Sequence, residues 1–249
     1  MNLVWRETYR VRFYEAEPGG RASAPAICRY LQEAADIHCR AYGLSLDDLR
    51  AAGRLWVLTH LSLRLTGLPR VGDEVAVETW GTRRLGGVRA YRDFVLLDAA
   101  GRTFGEASSL WLLLDAATRR PVRLPESILR FRHPERAGAD RVDAMGAIPP
   151  EQPSVEERNR VRWHDLDANG HANNVCYVDW AIETVPLALR RDGRLSALDV
   201  RFVSEAFLDD EVISAAEEFP TADAPSYRHA LHTGDGRLLA AARTEWTRI

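Results

Sequence analysis

The chain contains a copy of part of itself. Residues 10–33 align without gaps on residues 160–183, an offset of 150. Arg10, Val11 and Arg12 match Arg160, Val161 and Arg162, and Gly20, Ala22 and Glu33 match Gly170, Ala172 and Glu183. Phe13 stands opposite Trp163, Tyr30 opposite Trp180, and Glu17 opposite Asp167. Further on the offset falls to 137, where Arg64, Asp73, Glu74 and Val75 match Arg201, Asp210, Glu211 and Val212. Near the ends it is 135, where Gly101, Arg102 and Trp111 match Gly236, Arg237 and Trp246. Offsets that hold within blocks and shrink between them are what one duplicated domain with shortened loops produces. Three blocks in the same order make coincidence the poorer explanation.

Each copy has the same grammar. A short strand (residues 8–14 and 158–164) enters a glycine-containing loop and a helix follows. In the first copy Ala24, Ile27, Leu31, Ala34 and His38 recur at helical spacing, and in the second Val178, Ala181, Ile182 and Val185 do so, with Pro186 ending the helix. Strand-like runs come next: 74–84 and 88–98 about Gly86-Gly87, then 102–115. Their counterparts are 197–203, 211–219, 226–233 and 237–247. A helix followed by antiparallel strands must bury the helix against the sheet. A lone unit of this kind leaves a sheet edge open, and here the same chain supplies a second unit. The expected layout is an α+β chain with one unit over 1–115, a linker over 116–157 and a second unit over 158–249. The linker reading rests on Pro121, Pro125, Pro134, Pro149, Pro150 and Pro153 among many charges, with one helical turn at 126–132.

Composition narrows the function classes. A net charge of −3 implies no bulk attraction to nucleic acid. The cysteines, Cys28, Cys39 and Cys176, are odd in number, scattered, and form no CxxC pair, so neither a disulfide framework nor a cysteine metal site is expected. Residues 1–12 carry a charge every few positions and do not read as a secretory signal, and no apolar run approaches the roughly 20 residues of a membrane span. The expectation is a cytoplasmic enzyme that needs no cofactor or metal and does not engage a membrane.

The densest chemistry is His164-Asp165-Leu-Asp167-Ala-Asn169-Gly170-His171-Ala-Asn173-Asn174, between a strand and a helix. Helix capping explains one asparagine of this run, not the whole of it. Asp165-x-Asp167-x-Asn169-Gly170 matches the first half of a calcium loop, but position twelve is Cys176 instead of glutamate, and the preceding segment alternates as a strand. Zinc between His164 and His171 lacks a third ligand at usual spacing. The remaining reading is catalytic. A helix start offers unpaired N–H groups and a positive dipole end to a developing oxyanion, while a histidine and carboxylates activate water. The duplication acts as an internal control. At the offset of 150, Asn169 corresponds to Gly19 and His171 to Arg21, so the first copy lacks the polar set and one reactive site per chain is expected.

The run Asp167-Ala-Asn169-Gly-His171-Ala-Asn173-Asn174-x-x-Tyr177-x-x-Trp180-x-x-Glu183 resembles the signature of the fatty acyl-ACP thioesterases of plants and bacteria. Tyr14-Glu-Ala-Glu-Pro-Gly-Gly-Arg-Ala-Ser with Leu31-Gln-Glu-Ala-Ala35 is similar to that family's first helix region, and Ala107-Ser-Ser-Leu-Trp111 with Thr118-Arg-Arg120 to its mid-chain motif. The resemblance spans nearly the whole chain. It implies a double hotdog fold, two tandem units each with a long antiparallel sheet wrapped round a central helix. It also implies hydrolysis of fatty acyl thioesters on acyl carrier protein. The family's catalytic residues fall on Asp167, Asn169 and His171, and a family glutamate falls on Glu205. The family often has a cysteine directly after that glutamate; here Ala206 stands there, which favours direct attack by water over an acyl-cysteine.

The expected scheme has Glu205 as general base aided by His171, Asn169 positioning water or thioester, and Asp167 fixing the loop. Backbone N–H groups near Asn174–Cys176 are expected to hold the oxyanion, with Asn173, Asn174 and Cys176 beside the substrate. The acyl chain is expected in an apolar tunnel of the first unit near Ile27 and Leu31, and His38 is read as a satisfied core histidine. Arg83, Arg84, Arg119, Arg120 and Arg123 are candidates for a basic mouth toward the acidic carrier. The alternatives are an acyl-CoA hydrolase, a non-catalytic acyl-thioester-binding hotdog protein, and a hydratase. Chain length, and whether the protein is a monomer or homodimer, stay open.

Overall fold

The computed structural model describes residues 3–82, 86–133, 136, 148–221 and 224–249. Contacts divide the chain into two units, Met1–Ala144 and Met145–Ile249. Arg83 and Arg84 lie outside the described residues.

In the first unit, β1 (Trp5–Arg10) precedes the long helix α1 (Ala24–Arg40), then α2 (Leu46–Ala51), β2 (Arg54–Leu65), β3 (Glu74–Gly81), β4 (Arg89–Leu97), β5 (Thr103–Asp115) and α3 (Glu126–Leu129). The strands pair antiparallel in the spatial order β1-β3-β4-β5-β2. Helix α1 begins where Ser23 accepts the Ala26 N–H, with Pro25 in its first turn, where a missing N–H is tolerated. Its apolar stripe faces β1 and β3, and Ile27, Leu31 and Ala34 are fully buried there. Burying Ile27 and Leu31 contributes about 2–3 kcal/mol each.

The second unit repeats the plan: β6 (Val155–Arg160), α4 (Asn174–Glu183), α5 (Leu187–Asp192), β7 (Gly193–Phe202), β8 (Glu211–Pro220), β9 (Pro225–Thr233) and β10 (Leu238–Arg248). Its strand order is β7-β10-β9-β8-β6, all antiparallel, with α4 packed on β8, β9, β10 and β6. Each unit is a sheet wrapped on one principal helix, so the chain is a double hotdog.

The duplication extends to single hydrogen bonds. Arg12 and Arg162 donate their N–H to the carboxylates of Glu15 (2.8 Å) and Asp165 (2.7 Å). Ser23 and Asn173 donate to the Glu15 and Asp165 carbonyls, and Ala22 and Ala172 to the carbonyls of Pro69 and Ala206. Asp209, at φ +72, occupies the left-handed position that Gly72 (φ +89) fills in the first unit.

In its elements the structure differs from the sequence reading in four places. The first strand of each copy stops at Arg10 and Arg160, because the Arg12–Glu15 and Arg162–Asp165 bonds wind Phe13–Glu15 and Trp163–Asp165 into 3-10 turns. Residues 116–133 are mostly exposed, as expected of a segment crossing the surface, but are anchored at several points. Val122 donates to Leu113, and Leu124, Ile128 and Phe131 are buried, the first two packing with Leu49, Ala90 and Leu113. The end of the expected linker, from Val155, is already β6. Finally, α2 and α5 were not anticipated; α2 is set by a Ser45–Asp48 capping box and α5 starts after Pro186.

Two histidines sit in the cores. His229 on β9 is fully buried between Thr184 at the end of α4 (Nδ1–Oγ1 3.0 Å) and Thr244 on β10 (Nε2–Oγ1 2.9 Å). Thr184 uses its hydroxyl proton on the Ala181 carbonyl (2.7 Å), so it accepts from Nδ1–H and Thr244 must donate to Nε2. Trp246 Nε1–H completes the chain onto Thr244 (3.1 Å). Every group in it is paired, and the ring is held neutral, with burial lowering its pKa from 6.5 to about 3. His38 is also fully buried, but the expectation of a satisfied ring is corrected. Its Nδ1 accepts from Arg92 (2.9 Å), which places the proton on Nε2, and Nε2 has no partner among the described residues. Trp5 stacks on the ring, and Tyr42 and Phe131 meet it edge to face.

Candidate active site

The site begins as a closed turn between β6 and α4. Asp167 N–H donates to the His171 carbonyl (2.9 Å) and Gly170 N–H to the Asp167 carbonyl (3.0 Å). Gly170 stands at φ +82, a conformation that residues with a Cβ adopt at a penalty. Leu166 bridges Ala172, and Ala172 N–H reaches the Ala206 carbonyl (2.8 Å), tying the turn to the loop after β7 that carries Glu205.

This backbone gathers the side chains that the sequence singled out. Asp167 accepts the Asn169 N–H (2.7 Å) on Oδ1, and the Asn169 amide nitrogen lies 3.4 Å from Oδ2. His171 stands between two carboxylates, with Nδ1 3.7 Å from Asp167 Oδ1 and Nε2 3.5 Å from Glu205 Oε1. The side chains of Asp167, His171 and Glu205 are 18%, 23% and 27% exposed, buried enough to be held and open enough for a water to reach them. Both gaps are slightly longer than a direct hydrogen bond, and a small closure of the side chains brings the groups within it.

The helix start is more occupied than expected. Asn173 caps α4, its Oδ1 accepting Val175 N–H (2.9 Å), while Cys176 N–H turns back to the Asn173 carbonyl (2.9 Å). Of the three amides at 174–176, only that of Asn174 makes no hydrogen bond among the described residues. The Cys176 thiol points at Asp165, with Sγ 3.6 Å from its carbonyl oxygen. Asp165 itself secures the Arg162 N–H, so two carboxylates of the calcium-like spacing are turned to protein donors. Ile27 and Leu31 are buried core residues of the first unit, and the polar group belongs to the second. Arg119, Arg120 and Arg123 are exposed on the segment after β5.

Sequence reasoning gave no role to the groups that hold the Glu205 loop. Tyr177 on α4 accepts the Ala206 N–H (2.8 Å) and lies 3.4 Å from the Ser204 carbonyl. Arg237, at the start of β10, donates to the Glu205 carbonyl (2.9 Å) and to Ser204 Oγ (3.0 Å). Tyr177 was visible as a fixed spacing in the motif; Arg237 was visible only as the partner of Arg102 in the repeat.

Tandem hotdog units, one of them bearing an imidazole between two carboxylates at a helix tip, define a double hotdog protein equipped for acid–base chemistry. A family model for the acyl-ACP thioesterase N-terminal domain matches residues 2–131, and one for the acyl-ACP thioesterase C-terminal domain matches residues 149–248. The chain belongs to the acyl-ACP thioesterase family. The chloroplastic palmitoyl-acyl carrier protein thioesterase of Arabidopsis thaliana is 28% identical over 266 residues, a match covering 98% of this chain and 64% of that protein. The chain thus spans less than two thirds of the length of such relatives. A 12:0-ACP thioesterase structure from Umbellularia californica superposes with a TM-score of 0.86 at 26% identity, covering 100% of this chain and 99% of that one. An acyl-ACP thioesterase structure from Bacteroides thetaiotaomicron shares the fold, with a TM-score of 0.84 at 19% identity over 99% of this chain and 98% of that one.

Proposed function

We propose that this protein hydrolyses the thioester between a fatty acyl chain and acyl carrier protein, releasing a free fatty acid and the carrier thiol. The observation that carries the reading is the placement of His171 between Asp167 and Glu205, beside the start of α4. Glu205, with His171, takes a proton from a water as it attacks the thioester carbonyl. Asp167 sets the Asn169 backbone by accepting its N–H, and Asn169 orients the water or the carbonyl. The positive end of α4, with the Asn174 N–H, stabilises the oxyanion as it develops. Collapse of the tetrahedral intermediate expels the thiolate, which takes up the proton held by the Glu205–His171 pair.

Water as the nucleophile is supported by Ala206, which stands where an acyl-cysteine would need a thiol, and by the engagement of the Cys176 thiol with Asp165. Membership in the acyl-ACP thioesterase family supports the choice of carrier.

The test is turnover of acyl carrier thioesters by Glu205→Ala and His171→Ala, with matched acyl-CoA as the competing substrate. Loss of at least about a hundredfold in both variants is expected. Near-wild-type rates in both would end the scheme, and faster turnover of acyl-CoA at equal chain length would reassign the carrier.

A further inference from the structure

We infer that Tyr177 and Arg237 are positioning residues that clamp the backbone at Glu205 from two sides, an inference that rests on the proposed role of Glu205 as base. From α4, the Tyr177 oxygen accepts the Ala206 N–H (2.8 Å), and its hydroxyl lies 3.4 Å from the Ser204 carbonyl. From the start of β10, the Arg237 guanidinium donates to the Glu205 carbonyl (2.9 Å) and to Ser204 Oγ (3.0 Å). Ser204 Oγ in turn donates to the Leu238 carbonyl (2.6 Å), and a second Arg237 nitrogen lies 3.8 Å from Asp210. The residues before, at and after the proposed base are therefore all tethered through main-chain or short side-chain atoms, none of which belongs to the Glu205 carboxylate. That carboxylate faces His171 at 3.5 Å.

The first unit tells clamping apart from ordinary loop packing. At the same offsets Tyr177 corresponds to Ile27, Ser204 to Gly67, Glu205 to Leu68 and Ala206 to Pro69. Proline has no N–H to satisfy and isoleucine has no oxygen to offer. Arg237 corresponds to Arg102, which there pairs with Asp98 inside its own turn (2.8 Å). The loop keeps its shape in that unit, since Ala22 still donates to the Pro69 carbonyl as Ala172 does to Ala206. The tyrosine–arginine pair therefore accompanies the acid, not the fold. Tyr177 is well suited to this, because burial foremost, then the Glu205 charge, raises its pKa and keeps the phenol protonated.

The experiment is a double-mutant cycle on the full chain with an acyl carrier thioester, at enzyme excess so that slow variants give single-turnover rates. Tyr177→Phe and Arg237→Met are each expected to lower the rate about tenfold to a hundredfold, with KM changed less than about twofold, because displacing a reacting group by about 1 Å is enough for such a loss. On Glu205→Gln, either change should lower the rate by less than about twofold further, since there is no base left to misplace. Equal fold losses in both backgrounds would overturn the clamp and leave a structural role. Wild-type rates in Tyr177→Phe and Arg237→Met, with Glu205→Gln inactive, would also overturn the clamp while sparing the role of Glu205. A fully active Glu205→Gln would overturn both readings.

Discussion

Lowering the pH should weaken the second unit through one residue. His229 is sealed in the core as a neutral ring between two threonine hydroxyls, with burial lowering its pKa from 6.5 to about 3. In the unfolded chain the same imidazole takes a proton below about 6.5, whereas the folded chain refuses it until about 3. The His229 contribution is therefore complete above the unfolded value and is lost as pH falls from about 6.5 toward 3. Between pH 7 and pH 5 the unfolded state gains about 2 kcal/mol from this protonation, by the linkage relation RT ln[(1 + 10^1.5)/(1 + 10^−0.5)]. Because pH 5 lies well above the folded value, the figure depends on the unfolded value alone. The assay is urea unfolding of wild type and His229→Gln at both pH values, following the fluorescence of the tryptophans. The variant should be less stable at pH 7, yet lose about 2 kcal/mol less than wild type on going to pH 5. Parallel losses, agreeing within about 0.5 kcal/mol, would refute the reasoning, because they would mean that the folded protein accepts the proton as readily as the unfolded one.

Two further outcomes follow from the turn that carries the site. Asn173→Ala should destabilise the protein by about 1 kcal/mol in the same unfolding assay, through loss of the cap on the Val175 N–H, with far-UV helix signal falling in step. Gly170→Ala should cost about 1–2 kcal/mol from the positive φ alone, because a Cβ there meets nothing within 4 Å; a neutral result would show that the turn relaxes out of the left-handed region.

The duplicated plan was legible because the two copies share the residues that set backbone course: an arginine before each 3-10 turn, an acid that accepts its N–H, glycines at the turn, and an alanine that pairs with the following loop. Strands whose ends lie at charged turns, such as those over 74–81 and 211–220, were placed to within a few residues of their ends. The anchors within 116–133 were not legible, because proline and charge density said nothing of Leu124, Ile128 and Phe131, three apolar residues that are buried. At the site, Asp167, Asn169 and His171 were legible as a contiguous motif. Glu205 reached the list only through the family resemblance, because it is 34 residues from His171 and nothing local marks it. The Arg237 contact was illegible for the same reason: a residue at the start of the last strand meets the Glu205 carbonyl only after the sheet has formed. His229 gave no signal, since the threonines that satisfy it come from α4 and β10 and are 45 and 15 residues away.

The paired turns at 12–23 and 162–173 have a consequence for how such a chain can change over time. Their shape is written in amide-to-carbonyl bonds that recur in both places, while the reagents hang from one of them only. Architecture and reactivity are thus inherited separately here. The first turn braces its half of the molecule without the reactive side chains, so a substitution there answers to structure alone, whereas one in the second turn must answer to the proposed chemistry as well.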